Sequence, residues 1–102
     1  MIMEPDKPDI CISDVVVSTA GRDRGQLFYV IGTDGVYTQL ANGKDRSLEK
    51  PKRKKQKHVK KVLRAETRVA AKIRSGDKVL NSELRKDLAY ISQELNSHNQ
   101  GG

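Results

Sequence analysis

Turn-forming residues recur at short intervals in the first half of this 102-residue chain, and they limit the length of every regular element there. Gly21 and Gly25 bracket three charged residues, and the pairs Asp34-Gly35 and Asn42-Gly43 follow. Asp-Gly and Asn-Gly pairs favour tight turns because both of their residues tolerate positive φ. The segments between the turns hold only about five residues, too few for the helices that parallel strands need between them. An antiparallel arrangement of short strands is therefore expected.

The segments between these turns have the composition of strands. β-Branched residues fill 15–17, and the segment 26–31 is apolar on both faces, which favours a central strand. Short strands with turns about every eight to ten residues are typical of a small antiparallel barrel. The predicted strands are 15–17, 26–31, 36–40, about 45–49, and 59–63.

Beyond residue 63 the apolar pattern changes to the period of an α-helix. A short helix is expected over 66–74, ending at Ser75-Gly76, and Asn81 or Ser82 is expected to cap a second helix. Apolar residues of the second helix recur at spacings of four, three and four, and such a stripe must be buried. The polar tail 96–102 is expected to be disordered. The stripe consists of Leu84, Leu88, Ile91 and Leu95.

Composition excludes several classes of protein. Hydrophobic residues make up 35% of the chain and charged residues 32%, so only a small core is expected. No apolar run approaches the ~18 residues of a membrane span, and the acidic start lacks a secretory signal, so a cytoplasmic protein is expected. The single cysteine, Cys11, excludes an internal disulfide and a multi-cysteine zinc site. His58 has no acidic neighbour to orient it, so neither catalysis, a metal nor a cofactor is expected.

The dominant charge feature is the basic segment, residues 50–61, which carries eight Lys or Arg and no acidic residue. The eight positive charges of this segment exceed the formal net charge of the whole chain, which is +7. Like charges at this density repel each other and need either a polyanion or full solvation. A solubilising run, a nuclear import signal and an acidic membrane surface are the alternatives to RNA. RNA is favoured because the segment abuts the predicted barrel and has no apolar membrane anchor before Val59.

The loop between the first two predicted strands is a second candidate site. Its glycines allow a sharp bend, which would display Arg22 and Arg24 from a rigid turn. Each of these guanidinium groups can hydrogen-bond a phosphate. Asp23 is expected either to pair with one of the arginines or to accept hydrogen bonds from turn amides. An ordinary charged hairpin turn is the plainer alternative.

Several segments of the chain resemble the KOW motif of ribosomal and transcription-factor RNA-binding domains. The first part of the resemblance lies in Val16-Val17, in Ala20-Gly21-Arg22-Asp23-Arg24-Gly25 and in Tyr29-Val30-Ile31. Leu40-Ala41-Asn42-Gly43 and Lys57-His58-Val59 extend it, and they are similar to KOW proteins related to large-subunit ribosomal protein fourteen-e. The resemblance covers residues 12–62, about half of the chain.

This resemblance implies an SH3-like barrel that binds RNA, usually ribosomal RNA, through the KOW loop and a basic flank. Gly25 then corresponds to the key glycine of the motif, and Arg22 and Arg24 correspond to its basic loop positions. Phe28 stands where many KOW sequences have a further glycine, which favours the ribosomal-protein-like branch over the transcription-elongation branch. The resemblance implies nothing about residues 69–95.

The expected organisation is a flexible leader (1–11), an SH3-like KOW barrel (12–64) that includes the basic segment, a helical extension (65–95) and the tail. The expected function is non-catalytic binding of structured RNA, with large-subunit ribosomal RNA and the ribosome as partners and no membrane contact. The alternative is an adaptor, or a transcription or translation factor module, that docks a protein partner through the Leu84, Leu88, Ile91 and Leu95 stripe. The helical extension is not expected to contribute to RNA binding, because most of the positive charge precedes it. The predicted RNA-binding residues are Arg22, Arg24, Gly25, Lys50, Lys52, Arg53, Lys54, Lys55, Lys57, His58, Lys60 and Lys61.

Overall fold

The structure is a computed structural model that describes residues 10–100, with side chains described as far as Ser97. These residues form a five-stranded antiparallel sheet followed by two helices, which confirms the predicted combination of elements. The strands are β1 (Asp14–Ser18), β2 (Leu27–Thr33), β3 (Tyr37–Ala41), β4 (Lys52–Lys55) and β5 (Val59–Arg64). A 3-10 helix (Gln56–His58) joins β4 to β5, and the helices are α1 (Arg68–Ser75) and α2 (Asn81–Gln100). The strand order in the sheet is β4-β3-β2-β1-β5.

Strand β2 lies at the centre of the sheet, as its two apolar faces predict. Its Tyr29 is paired with Val15 of β1 and with Ala41 of β3. Alternate residues of a strand point to opposite faces, so the sheet supports two separate apolar clusters. The cluster around Tyr29 packs against the helices. The cluster on the other face consists of Val16, Phe28, Val30, Leu40 and Val59.

Helix α1 is capped at both ends, and it begins two residues later than the predicted 66. Thr67 precedes α1, and its hydroxyl accepts a hydrogen bond from the Ala70 amide at 3.1 Å. Gly76 ends α1 in the left-handed conformation, with a φ of +79°, which glycine adopts without strain. The predicted end of the first helix at Ser75-Gly76 and the predicted start of the second near Asn81 are confirmed. The predicted capping of the second helix by Asn81 or Ser82 is wrong, because α2 already begins at Asn81 and the Asn81 side-chain oxygen accepts from the Leu48 amide at 2.8 Å instead.

The apolar stripe of α2 packs against the chain's own sheet. Leu84, Leu88 and Ile91 are 0%, 6% and 5% exposed, and Leu95 packs against the same cluster. Tyr29 of β2 belongs to this cluster as well. The stripe is therefore buried, as its spacing requires, and it is buried without a partner chain.

A polar contact ties both helices to the sheet. The Tyr29 hydroxyl donates a hydrogen bond to the Asp87 carboxylate of α2, and the Thr67 hydroxyl donates to the same carboxylate at 2.8 Å. Burial raises the pKa of the Tyr29 hydroxyl, and the Asp87 carboxylate raises it further, so this hydroxyl stays protonated and remains a donor. The helical extension is therefore an integral part of the core.

The predicted fourth strand at 45–49 is wrong, because β4 is built from the basic segment instead. The Asn42 side chain accepts hydrogen bonds from the amides of Lys44 and Arg46, both at 2.9 Å, and closes a tight turn. The Asn81 side chain of α2 then accepts from the Leu48 amide at 2.8 Å. Side chains thus take the amides that a strand would need for pairing. Residues 42–51 connect β3 to β4 as an irregular segment, called here the β3–β4 connection.

The described part of the chain ends in a helix. The predicted disorder of the tail is wrong for residues 96–100, because α2 continues through them. Residues 1–9 of the predicted leader and residues 101–102 of the predicted tail lie outside the described residues. Ile10 packs against the Val16 cluster, and Cys11 is exposed. Within residues 10–100, no helix combines the length and the apolar character that crossing a membrane requires.

Gly43 lies where the β3–β4 connection meets the first turn of α2. Its φ is +76°, and a Cβ added there would clash with the Asn81 carbonyl oxygen and lie 3.0 Å from the Arg85 amide nitrogen. Only glycine satisfies both the backbone conformation and the close approach. This position therefore sets how closely the connection and α2 approach each other.

We expect Gly43→Ala to destabilise the fold more than Gly76→Ala does. The two glycines have nearly the same φ, +76° and +79°, but a Cβ at Gly76 would meet nothing within 4 Å. Gly76→Ala should cost about 1–2 kcal/mol from backbone strain alone, whereas Gly43→Ala should cost about 1–3 kcal/mol more from overpacking. Urea unfolding measures both free energies. Equal losses of unfolding free energy would show that a Cβ at position 43 does not clash with α2.

Candidate nucleic-acid interface

The β1–β2 loop, residues 19–26, is a turn with fixed ends. The Gly25 amide donates to the Ser18 carbonyl at 2.8 Å, and the Ser18 amide donates to the Gln26 carbonyl at 3.0 Å. Gly21 and Gly25 have φ values of +87° and +91°, a conformation that other residues adopt only with strain. The sharp bend predicted for this loop is confirmed.

Asp23, in the middle of the β1–β2 loop, turns inward. Its Oδ1 accepts hydrogen bonds from the Ser18 hydroxyl and from the Lys54 ammonium, both at 2.7 Å. Its Oδ2 lies 3.2 Å from the Lys52 ammonium. These partners differ from the arginines and turn amides expected from the sequence, because β4 places two lysines beside the loop.

The Asp23 carboxylate stays charged although it is buried. Burial by itself raises the pKa of Asp23, but hydrogen bonds from Lys54, Ser18 and Lys52 together lower it to well below its usual value of 3.8. Lys54 is only 8% exposed, and its ammonium also donates to the Ala20 carbonyl at 2.6 Å. Loop and strand are thus joined by a buried ion pair that further hydrogen bonds support.

Arg22 and Arg24 flank Asp23, and both are exposed. Neither arginine makes an ion pair with any described residue. Because Asp23 holds the loop, its conformation does not depend on the two guanidinium groups. They are therefore presented on a fixed turn, where each can donate two hydrogen bonds to a phosphate.

Strand β4 divides the basic segment into two sets, because alternate residues of a strand face opposite sides. Lys52 and Lys54 are directed to Asp23, whereas Arg53 and Lys55 are exposed on the other side. Lys54 is enclosed by the loop and has no surface for a ligand while the loop stays in place. This predicted RNA-binding residue therefore has a structural role.

Two more of the predicted residues are engaged within the chain. The Lys61 ammonium lies 3.3 Å from the buried Asp14 carboxylate. His58 is half-buried, and its backbone carbonyl accepts a hydrogen bond from the Thr19 amide of the β1–β2 loop at 2.9 Å. The predicted basic residues that are exposed are Arg22, Arg24, Lys50, Arg53, Lys55, Lys57 and Lys60.

Tyr37 is a candidate residue that the sequence alone does not single out. It lies on β3 in register with Lys55 of β4. The Arg53 guanidinium carbon lies 3.7 Å from the centre of the Tyr37 ring, and the Lys55 ammonium lies 5.9 Å from it, both within the range of cation–π contacts. The feature that identifies Tyr37 is the pairing of β3 with the basic strand β4. The sequence does not predict this pairing, because it places the fourth strand at 45–49.

A groove, called here the loop groove, lies between the β1–β2 loop and the β3–β4 connection. Its volume is about 440 Å³. Three of its side chains are basic, and of its two acidic side chains Asp23 is already paired with lysines. Such a lining attracts an anionic ligand. The lining residues are Arg22, Asp23, Gln26, Phe28, Asp45, Arg46 and Lys52.

A comparison of the chain with models of known protein families, and a second comparison with curated proteins, finds no match. The site is therefore defined by its own geometry, a fixed loop with two exposed arginines beside a strand with exposed cations. Among residues 10–100, no group of three or more His, Cys, Asp or Glu side chains is placed to hold a metal ion.

We expect Asp23→Asn to lower the free energy of unfolding by about 3 kcal/mol, because it leaves the buried Lys54 ammonium without its counter-ion. Adding Lys54→Met to this variant removes the unpaired buried charge and should recover part of the lost free energy of unfolding. Asp34→Asn is the matched control, since the Asp34 carboxylate lies 4.0 Å from the exposed Arg53, and it should change stability little. Urea unfolding followed by circular dichroism measures all three variants. A loss for Asp23→Asn no larger than the control's would contradict an anchoring role.

The Asp23 carboxylate should also make stability depend on acid pH. Its folded-state pKa lies below the unfolded value of 3.8, so its contribution is complete above about pH 4 and is lost as the pH falls further. Free energies of unfolding measured between about pH 6 and about pH 3 should therefore decline for the parent protein. The Asp23→Asn variant should lack this part of the decline. Parallel curves for the two proteins would refute the assignment.

Proposed function

We propose that this chain is a non-catalytic RNA-binding protein that contacts structured RNA, with large-subunit ribosomal RNA as its target. The observation that carries the proposal is the anchoring of the β1–β2 loop by Asp23, which leaves Arg22 and Arg24 exposed on a fixed turn. A loop held independently of its arginines keeps their charge available for a ligand. Contacts to phosphate and sugar make up most hydrogen bonds in nucleic-acid interfaces, and Arg suits them well.

An SH3-like barrel is the proposed form of the sheet. β4 and β5 lie at opposite edges of the strand order, and in a flat sheet these edges would be about 19 Å apart. Only the 3-10 helix Gln56–His58 separates the two strands in sequence, and the four Cα–Cα steps across it span at most about 14 Å. This short link requires the sheet to curl, which supports a barrel. With the positive φ of Gly25, it also supports the KOW resemblance.

The exposed members of the predicted set are the proposed phosphate contacts. Lys54 is left out because it is buried against Asp23, and Lys52 and Lys61 are already paired with carboxylates. Neutralising several phosphates releases counter-ions and provides affinity that is independent of base sequence. The proposed contacts are Arg22, Arg24, Lys50, Arg53, Lys55, Lys57 and Lys60.

Folded RNA suits this surface better than a single strand does. Proteins that read single strands stack the bases on accessible aromatic rings, but Phe28 and Tyr29 are fully buried. The Arg53 guanidinium already lies over the ring of Tyr37, so Tyr90 of α2, at 56% exposed, is the one open aromatic ring among the residues that the structure describes. Proteins that stack bases use about two or three such rings. Recognition through backbone charge and shape is therefore proposed, and a ribosomal target places the protein in the cytoplasm.

The alternative function, a protein-binding adaptor, requires the apolar stripe of α2 to be open. Leu84, Leu88 and Ile91 are instead packed into the core with the sheet. Docking a partner through them would require α2 to leave the sheet and break the hydrogen bond between Tyr29 and Asp87. RNA binding requires no such rearrangement.

We expect Arg22→Ala combined with Arg24→Ala to weaken binding of folded large-subunit ribosomal RNA and to reduce its salt dependence. Each lost phosphate contact removes about 0.9 from the slope of log K against log salt for a duplex, so the double variant should lose about two. The free energy of unfolding should change by less than about 0.5 kcal/mol, because exposed turn arginines contribute little to folding. Filter binding at several salt concentrations gives the slope.

Arg68→Ala combined with Lys78→Ala is the matched control, since it removes the same charge from exposed positions of the helical extension. This control should leave the slope nearly unchanged. Equal slopes for the two double variants would show that the β1–β2 loop does not contact RNA. If the parent protein neither binds the RNA nor sediments with the large ribosomal subunit at low salt, the proposed function is wrong.

A further inference from the structure

A second groove extends from the β1–β2 loop to α2. Its volume is about 640 Å³, and it runs between Gln26 of the loop, Lys44 of the β3–β4 connection, and the face of α2 that carries Arg85 and Ser92. Gln26 and Asp45 line both this groove and the loop groove. The two grooves therefore adjoin at these residues, and together they are called here the channel.

Most of the ionisable side chains that line this channel are basic. Of its two acidic side chains, Asp23 is paired with lysines, and Asp45 makes no ion pair within residues 10–100. A cleft lined mainly by one sign of charge focuses its field and concentrates ions of the opposite sign. The basic side chains of the channel are Arg22, Lys44, Arg46, Lys52 and Arg85.

The face of α2 in the channel is open and carries one positioned cation. Arg85, Leu88, Ala89 and Ser92 line the groove, and they are spaced as neighbours on one face of a helix. Leu88 is buried, and Ala89 and Ser92 are small, so these three side chains do not fill the groove. The Arg85 guanidinium donates to the Gly43 carbonyl at 3.1 Å. Its other N–H groups are left for a ligand.

We propose that an RNA strand passes along this channel and that α2 is part of the RNA interface, with Lys44 and Arg85 as phosphate contacts. The proposal rests on the proposed RNA-binding function and extends it to the helical extension, which the sequence does not connect with RNA. Phosphates form a continuous row of charges, and two adjoining grooves lined mainly by basic side chains match that row. Continuity with the loop that displays Arg22 favours RNA over other polyanions.

Lys44→Gln combined with Arg85→Gln tests this assignment. Binding of folded large-subunit ribosomal RNA should become roughly tenfold weaker, and the salt slope should fall by about two. Lys78→Gln combined with Lys86→Gln is the control, because both residues are exposed and neither lines the channel. The control should leave the slope nearly unchanged. An equal loss of slope in both double variants would overturn the channel.

Arg85 also contacts Gly43, so a second pair of variants leaves every described hydrogen bond in place. Ser92→Glu puts a carboxylate into the channel, whereas Gln93→Glu puts the same charge on the next residue, which is exposed and does not line the channel. Both changes suit a helix, because Glu is a good helix former. Only Ser92→Glu should weaken RNA binding, by roughly tenfold. Equal affinities for the two variants would overturn the channel.

The outcomes separate this proposal from the proposed function. A slope that responds to Arg22→Ala and Arg24→Ala, but not to Lys44→Gln and Arg85→Gln, would overturn the channel and leave RNA binding by the loop intact. Absence of RNA binding by the parent protein would overturn both. Binding of poly-glutamate in place of RNA, with the same sensitivity to Ser92→Glu, would assign the channel to an acidic protein partner and overturn it as an RNA site.

Discussion

The buried carboxylate of Asp23 controls how charge is arranged in this protein. It draws Lys52 and Lys54 of β4 toward the interior and ties that strand to the β1–β2 loop. Separating such a pair would leave a buried charge without a partner, so loop and strand are held in one relative position. The alternation of side chains along β4 then leaves Arg53 and Lys55 outside. The basic segment thus stabilises the fold with some of its residues and offers the others to a ligand.

Strand β2 connects the β1–β2 loop to the helices. β2 begins directly after the β1–β2 loop, and its third residue is Tyr29, which bonds to Asp87 of α2. A small sheet with apolar groups on both faces needs a further layer to be stable. Here α1 and α2 supply that layer on one face. The fold and the candidate site are therefore two aspects of one structure, and the helices cannot be treated as an appendage to a separate binding module.

The sequence predicts those features that depend on adjacent residues. The turn at Asp34-Gly35, the central place of β2 and the end of α1 follow from local residue types. Contacts between distant residues are not predicted: Lys54 is 31 residues from Asp23, and Asn81 is 33 residues from Leu48. These two contacts decide which lysine is withdrawn from the surface and why the fourth strand starts later than expected. The loop arginines of the candidate site were predictable, whereas the partners of Asp23 and the channel along α2 were not.

The long separation of Tyr29 and Asp87 also sets an order of assembly during translation. The two residues are 58 positions apart, and β1 pairs with β5, whose last residue is Arg64. The first three strands are therefore synthesised before the segments that cover them. Native contacts between residues far apart in sequence form slowly, and an uncovered sheet is exposed to misfolding in the interval. Completion of α2 is the step at which the growing chain can first close its core, so cotranslational folding of the strands alone would not yield a stable unit.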